Sequence, residues 1–372
     1  MTPACRPTAS SIWTSFLNSG KRHLLLTGTR GIGKTTLLAK LFPAPLPGIT
    51  TWAKPYDSVF MQDNLTGSTA KIAQYDPSIQ GTEAKMVLLE NRMQDFGVSI
   101  LGKCMDSTSE WITIDEIGFL EQNCTAFQSS IRQLMDTKRV AAVIRKQDLP
   151  FLNELRCRED VFLIDLDQPF GNCGCVIMAS GLGRRFGENK LMADFLGKPM
   201  ITRILDATEG LFSRRIVVTR HESVADLCRQ RDIPVLLHDL PNRSDTIRLG
   251  LNAIGDAERC MFCPGDQPLL CADTIASLLL CAANDTQSIW RPGCGETVGA
   301  PVLFPDWAFP ELLTLPEGKG GGWVIKHHSE NCKVLQIADP RELIDADTPH
   351  ILEQLKQPYI SSNAKSVCIS PI

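Results

Sequence analysis

Two glycine-bearing loops in this chain carry residue types that can hold phosphate groups, and their chemistries differ. The first, Gly28-Thr29-Arg30-Gly31-Ile32-Gly33-Lys34-Thr35, has the spacing G-x-x-x-x-G-K-[ST]. Glycines at such positions let backbone amides turn inward on phosphates, a lysine reaches the terminal phosphates, and a hydroxyl holds Mg²⁺. Gly28, Gly31, Gly33, Lys34, Thr35 and Thr36 are therefore candidate nucleotide contacts, with Thr35 as a metal ligand. An apolar strand, Trp111-Ile112-Thr113-Ile114, delivers Asp115 and Glu116. Asp115 suits the metal and Glu116 the activation of an attacking water.

The second loop, Ala179-Ser180-Gly181-Leu182-Gly183-Arg184-Arg185-Phe186-Gly187-Glu188-Asn189-Lys190, lacks the Gly-Lys-Thr ending. Its small residues (Ala179, Ser180, Gly181, Gly183) admit a nucleotide close to the backbone. Arg185 and Lys190 can neutralise a triphosphate whose α-phosphate is attacked while pyrophosphate leaves. Downstream, Cys263-Pro264-Gly265-Asp266-Gln267-Pro268 places Asp266 in a tight turn after an apolar strand, a position suited to Mg²⁺. Asp345 and Asp347 precede the last helix. One of them can complete the metal site, while Asp347-Thr348-Pro349 reads equally as a helix start.

Other reactive residue types have plainer explanations. Cys260 and Cys263 form a CxxC pair, but within an apolar run and without a second pair at zinc-ribbon distance, so they are expected to be buried strand residues. The 14 cysteines scatter from Cys5 to Cys368 and read as reduced thiols. His221, His238, His327 and His328 show no metal-ligand spacing and are expected to be surface or structural.

These residues need rigid elements to position them. Strand-like runs near His23–Thr27, Trp111–Asp115, Val140–Ile144 and Val161–Ile164 alternate with helix-like stretches. The pattern restarts after the turn formers at 167–172 with Cys175–Ala179, Arg215–Thr219, Pro234–Leu237 and Cys260–Cys263. That alternation predicts an α/β chain of two domains, over 1–168 and 173–372, in line with a length of 372 residues. The composition, 43% hydrophobic and 22% charged, excludes disordered, collagen-like and coiled-coil chains. A net charge of −4 argues against a nucleic-acid binder. No apolar stretch reaches the roughly 20 residues that span a bilayer, and the start shows no targeting pattern, so no membrane and a cytoplasmic address are expected.

The first set of motifs, with Ile114-Asp115-Glu116-Ile117-Gly118, resembles the thermophilic nucleoside-triphosphatase family of P-loop proteins over about the first 165 residues. The resemblance implies a P-loop parallel sheet, ATP or another NTP as ligand, and metal and catalytic roles for Asp115 and Glu116. Between Ile49 and Lys103 the family's Arg-rich and glycine-rich middle segment has no counterpart, so nucleotide binding is the firmer expectation and hydrolysis the weaker.

The second set resembles the molybdenum-cofactor nucleotidyltransferases, most closely the molybdopterin cytidylyltransferase branch, from Cys175 to about Leu355. It rests on the loop 179–190, Gly197-Lys198-Pro199-Met200, Ser244-Asp245-Thr246-Ile247-Arg248, Gly265-Asp266-Gln267-Pro268, Gly299-Ala300-Pro301 and Asp345-Ala346-Asp347-Thr348-Pro349. The resemblance implies a Rossmann-like domain of the nucleotide-diphospho-sugar transferase type. It assigns a nucleotide contact to Gly181, catalysis to Arg185, Lys190 and Asp266, and Mg²⁺ to Asp266; Ser244 is a further candidate nucleotide contact and Asp347 a second candidate metal ligand. Gly299, Pro301, Gly320 and Gly321 would face the pterin. Guanylyl-transferring relatives carry two glycines and then an Asp-Lys pair, whereas this chain has Ser180-Gly181 and Asn189-Lys190, which favours CTP. Ser180 stands where Ala is usual and Gly183 where Ser is usual. The implied reaction transfers CMP from CTP to molybdopterin. Another phosphate acceptor, or GTP, is the alternative. A different class of reading makes the P-loop half a nucleotide-gated module that delivers cofactor to a molybdenum hydroxylase apoenzyme.

Overall fold

The computed structural model describes residues 6–79, 85–183, 185–186 and 189–358. Arg184, Gly187 and Glu188 of the second loop, Cys5 and Cys368, and the outer ends of both expected domains lie outside the described residues. The chain is a mixed α/β protein of two units, each built on its own eight-stranded sheet.

The first unit comprises Ser19–Pro169. Its strands are β1 (His23–Thr27), β2 (Gly48–Lys54), β3 (Ser58–Asp63), β4 (Thr69–Tyr75), β5 (Met86–Leu88), β6 (Trp111–Ile117), β7 (Arg139–Ile144) and β8 (Val161–Asp165). They lie in the order β5-β4-β3-β2-β6-β7-β1-β8. From β2 to β8 the pairing is parallel. Burial on both faces explains the near-continuous apolar runs HLLLT and RVAAVI. The other half of the sheet, β2 to β5, is an antiparallel meander. It falls in the stretch after Ile49 where no family motif could be matched, and it extends the parallel sheet expected around the P-loop with antiparallel strands. Ile49, Met61 and Ile72 from the meander are fully buried with Ile112 and Ile114 of β6, in one core.

The second unit holds β9 (Cys173–Ala179), β12 (Arg214–Thr219), β13 (Val235–Leu237), β14 (Arg259–Pro264), β15 (Ile289–Cys294), β16 (Thr297–Val298), β17 (Val302–Pro305) and β18 (Cys332–Gln336). The order is β13-β12-β9-β14-β17-β15-β16, with β18 against β15. A small ribbon, β10 (Asp194–Phe195) with β11 (Lys198–Pro199), follows the glycine loop. Strand β9 is central: the chain goes from it to β12 and β13 on one side, then to β14 on the other, with all these pairs parallel. The reversal leaves a crevice at the C-terminal ends of β9 and β14, where open α/β sheets bind ligands.

The helix Ala9–Ser19 departs from the expected division at 168, because residues through Asn18 group with the second unit. Thr8 Oγ1 donates to Asp273 Oδ1 (2.9 Å), Ser277 Oγ donates to the Ser11 carbonyl (3.1 Å), and Gln336 N donates to Asn18 Oδ1 (2.8 Å). Ile12 and Phe16 are its buried apolar residues. Among the described residues, no helix is long and apolar enough to cross a membrane.

Candidate functional site

In the first unit the phosphate loop connects β1 to the helix Lys34–Leu41. Gly33 caps that helix at φ 100°, a left-handed conformation that glycine adopts without steric cost. Lys34 is buried, and its Nζ donates to the carbonyls of Gly28 (2.8 Å) and Thr29 (3.0 Å). Thr29 is fixed in turn by Asp167, which accepts from its amide (2.9 Å) and its hydroxyl (2.8 Å). Thr35 Oγ1 donates to Asp115 Oδ1 at 3.3 Å, which joins the two expected metal ligands. Burial pushes the Asp115 carboxyl up, against the opposing Thr35 hydrogen bond. A divalent cation near Thr35 would favour the ionised form.

Gly28, Gly31, Gly33, Lys34, Thr35, Thr36 and Glu116 line one cavity of about 780 Å³. Glu116 forms an ion pair with Arg145 Nε. Sequence reasoning missed Arg145, Lys146 and Gln147, which follow β7 and line the same cavity, as do Trp52 and Ala53 of the meander. Glu121, fully buried, accepts from the Gly118 amide at 2.7 Å and is pushed up by burial, which holds the turn after Glu116.

In the second unit the glycine loop follows β9 and the Asp266 turn follows β14. They meet because Gly265 has no side chain: a Cβ there would lie 3.2 Å from the Met178 carbonyl and 3.3 Å from Leu191 Cδ2. Gly265 N donates to that carbonyl at 3.0 Å. Ala346 N donates to the Asp266 carbonyl (2.8 Å), and Gln267 Nε2 donates to Asp345 Oδ1 (3.0 Å). These two bonds clamp the segment before the last helix onto the turn. Thr348 caps that helix, its Oγ1 accepting from Ile351 N at 3.2 Å, which leaves Asp347 free to face the site. Thr348 is thus the helix start, while the adjacent Asp347 lines the cavity beside Lys190.

The result is a cluster. Lys190 Nζ donates to Asp266 Oδ2 at 2.5 Å and to Asp347 Oδ1 at 2.8 Å, and Arg185 Nη1 lies 3.5 Å from Asp347 Oδ2. Burial opposes the charge on Lys190, but Asp266 and Asp347 outweigh it and raise the ammonium above its usual range. Hydrogen bonding from Lys190 holds Asp347 low, and burial raises Asp345. Two carboxylates converging on one cation are a donor set that fits a divalent ion with one or two protein ligands. Among the described residues no group of three or more His, Cys, Asp or Glu forms a metal site.

Ser180, Gly181, Gly183, Arg185, Lys190, Asp266 and Asp347 share a cavity of about 510 Å³. Ala179 lies just behind it, its carbonyl accepting from Thr219 Oγ1 at 2.9 Å. Ser244 is fully buried, with its hydroxyl unpartnered, and does not line the cavity; its neighbours Asn242, Arg243 and Thr246 do. Gly299, Pro301, Gly320 and Gly321 also stand outside the lining. Gly299 N donates to the Pro292 carbonyl (3.0 Å). Pro301 precedes β17. A Cβ on Gly321 would meet Phe304, whereas Gly320 packs against the stem of Arg243 and so approaches the cavity wall.

The histidines divide. His327 Nδ1 lies 2.7 Å from the Trp323 carbonyl and His328 Nε2 lies 2.6 Å from Glu311 Oε1, which are structural contacts. His221 Nε2, 2.9 Å from the Gly181 carbonyl, and His238 Nε2, 2.8 Å from Ser180 Oγ, instead hold the glycine loop. Each follows a strand next to or near β9, a relation invisible in sequence spacing. Cys260 and Cys263 are buried in β14, and burial pushes the Cys260 thiol up, against thiolate metal binding.

Comparison with known proteins agrees with the two-unit division. Residues 175–332 match the MobA-like NTP transferase domain and residues 60–169 match the NTPase family. The nucleoside-triphosphatase THEP1 of Thermotoga sp. (strain RQ2) is 28% identical over 151 residues, 39% of this chain and 86% of that protein. The bifunctional protein GlmU of Mycobacterium bovis (strain BCG / Pasteur 1173P2) is 30% identical over 123 residues, 29% of this chain and 25% of that protein. A protein named "Probable molybdenum cofactor guanylyltransferase" from Aquifex aeolicus (strain VF5) is 27% identical over 107 residues, 28% of this chain and 51% of that protein. The chain therefore joins a THEP1-like NTPase domain to a MobA-like nucleotidyltransferase domain.

Proposed function

We propose that the second unit is a molybdenum cofactor cytidylyltransferase, which transfers CMP from CTP to molybdopterin. The observation that carries the chemistry is the convergence of Lys190, Arg185, Asp266 and Asp347 in the cavity walled by Ser180, Gly181 and Gly183. The acceptor is supported by the name of the Aquifex relative, and CTP by Ser180-Gly181 and Asn189-Lys190.

In this reading the nucleotide lies along the glycine loop. A terminal phosphate oxygen of molybdopterin attacks the α-phosphorus, the bond to the bridging oxygen breaks, and pyrophosphate departs. Lys190 and Arg185 bind the phosphates and neutralise developing charge, while Asp266 and Asp347 would hold Mg²⁺. Bound there, the metal would supply further charge neutralisation. The amino-terminal turn of helix Arg243–Ile254, which lines the cavity through Asn242, Arg243 and Thr246, adds a positive dipole end. Positioning and charge are sufficient, and no covalent intermediate is needed.

The first unit binds an NTP with Mg²⁺ through Lys34, Thr35 and Asp115. Glu116, engaged by Arg145, supports slow turnover or binding alone.

The test is to incubate the purified protein with molybdopterin, Mg²⁺ and each labelled NTP. Attachment of CMP is expected. Attachment of GMP alone overturns the base assignment, and no attachment with any NTP overturns the acceptor.

A further inference from the structure

We propose that His238 and Ser180 form a base-reading pair in which His238 fixes Ser180 Oγ as a hydrogen-bond acceptor facing the nucleotide, so that the cavity favours the exocyclic amino group of cytosine over the carbonyl oxygen of uracil. This rests on the nucleotidyltransferase reading of the second unit and deepens it.

The cavity has two unlike ends. Lys190, Asp266 and Asp347 gather at the β14 side, where charge demands the phosphates. Ser180 lies at the β12 side, tied to the Val218 carbonyl at 3.1 Å, and is a cavity wall. A nucleotide with its phosphates at the first end turns its base toward the second.

Ser180 Oγ has two close neighbours, the Val218 carbonyl and His238 Nε2 at 2.8 Å. A hydroxyl carries one proton. The carbonyl can only accept, so both contacts are hydrogen bonds only when Ser180 donates to Val218 and His238 Nε2–H donates to Ser180. The other ring nitrogen, Nδ1, is buried without a partner. Leaving an N–H there would orphan a buried donor, which costs more than an orphaned acceptor, and the Nε2–H tautomer avoids it. Burial and the nearby Arg220 also keep the ring neutral, against the weaker pull of Asp245 and Asp239. With its proton given to Val218 and one lone pair taken by His238, Ser180 Oγ has one lone pair left and nothing to donate. An acceptor so fixed meets an N–H₂ group well and a carbonyl oxygen badly. The alanine usual at this position offers no such group. His238 is a positioning residue, acting through Ser180.

The experiment measures dissociation constants of Mg²⁺-CTP and Mg²⁺-UTP by calorimetry, in a Lys34→Ala background so that only the second unit titrates. The parent should prefer CTP by about tenfold or more, the yield of one hydrogen bond against an unpaired acceptor. Ser180→Ala and His238→Ala should bring the ratio near one, mainly by weakening CTP. His238→Gln, whose amide N–H can stand where Nε2–H stands, should restore it, an outcome that a purely structural role for His238 does not produce. An unchanged ratio in Ser180→Ala, or equal loss of CTP and UTP in His238→Ala, overturns the pair. A parent that binds neither pyrimidine nucleotide shows instead that the underlying reading has failed, before any variant is made.

Discussion

Each unit buries a lysine at its candidate phosphate site, and the two lysines are held in opposite ways. Lys34 Nζ is held by carbonyls of its own loop, five and six residues away. Lys190 Nζ is held by carboxylates 76 and 157 residues away. The hold on Lys34 is local, and its partners are neutral dipoles. The second site is assembled from distant segments, and its lysine keeps two carboxylates from facing each other unscreened in a partly buried cluster. One arrangement is a preformed cradle, whereas the other depends on its charges balancing.

Exchanging the consequences of the two lysines gives the largest effect. Lys190→Ala is expected to lower nucleotidyl transfer by about 10²–10³, or about 3–4 kcal/mol, the range for losing a preorganised electrostatic group. Nucleotide binding at the P-loop should persist. Lys34→Ala should abolish P-loop binding and spare transfer. Product formation and nucleotide titration on both variants check this. If Lys34→Ala depressed transfer as strongly as Lys190→Ala, the two sites could not be treated as separate devices.

The local site was also the more legible one. Eight residues with a strand before and a helix after imply the fold around Lys34, because the geometry that cradles phosphate is written in adjacent positions. The second site showed its parts, the 179–190 loop, Asp266 and Asp347, but not their assembly. The bonds that bring Asp347 to Lys190 run from Ala346 N to the Asp266 carbonyl and from Gln267 to Asp345, and no periodicity marks them. The roles of His221 and His238 depend on strands meeting at β9. The meander β2–β5 was unreadable for another reason: its strands GITTWAK, SVFMQD and TAKIAQY are buried without regular alternation, so no clean period of two marks them. Helix Ala9–Ser19 went unread, and nothing in its sequence names the unit that it joins.

Acid sharpens the contrast next. His23 of β1 is fully buried, with Nδ1 accepting from Val140 N (3.1 Å) and Nε2 3.2 Å from Asp160 Oδ2. Burial pulls its pKa down to about 4. Between about pH 6.5 and 4 the unfolded chain takes up a proton that the folded unit refuses, so this contribution is complete above about pH 6.5 and falls as pH drops, by up to about 3 kcal/mol. Asp160, held down to about 2 chiefly by Arg158, loses its share only below about pH 4. Hydrogen exchange of β1 and β7 amides, corrected for intrinsic rates, should show protection falling through that window in the first unit, and His23→Gln should flatten the fall. An equal fall in the variant would place the acid sensitivity elsewhere.

A smaller effect probes the assembly of the second site. Gly265→Ala puts a methyl 3.2 Å from the Met178 carbonyl, so the Asp266 turn must move by a few tenths of an ångström. The expected loss is about 1 kcal/mol of stability but about tenfold to a hundredfold in transfer, because misplacement near 1 Å costs about 10². Thermal unfolding and initial rates on the same sample separate the two, and loss of stability without loss of rate would mean the cluster tolerates the shift.

The smallest effect lies within the second site, between its two cations. Lys190 is buried, whereas the Arg185 side chain is 79% exposed and stands 3.5 Å from Asp347. An exposed pair contributes about 0–1 kcal/mol and is screened by salt, so Arg185→Ala should leave thermal unfolding nearly unchanged. Its work, if it binds phosphate, appears only with substrate: about a tenfold loss in transfer, carried more by KM than by kcat, and smaller at high ionic strength. Lys190→Ala should instead lower kcat at any salt concentration. Identical salt profiles for the two variants would show that exposure does not divide their roles, and the cluster would then have to be treated as one unit.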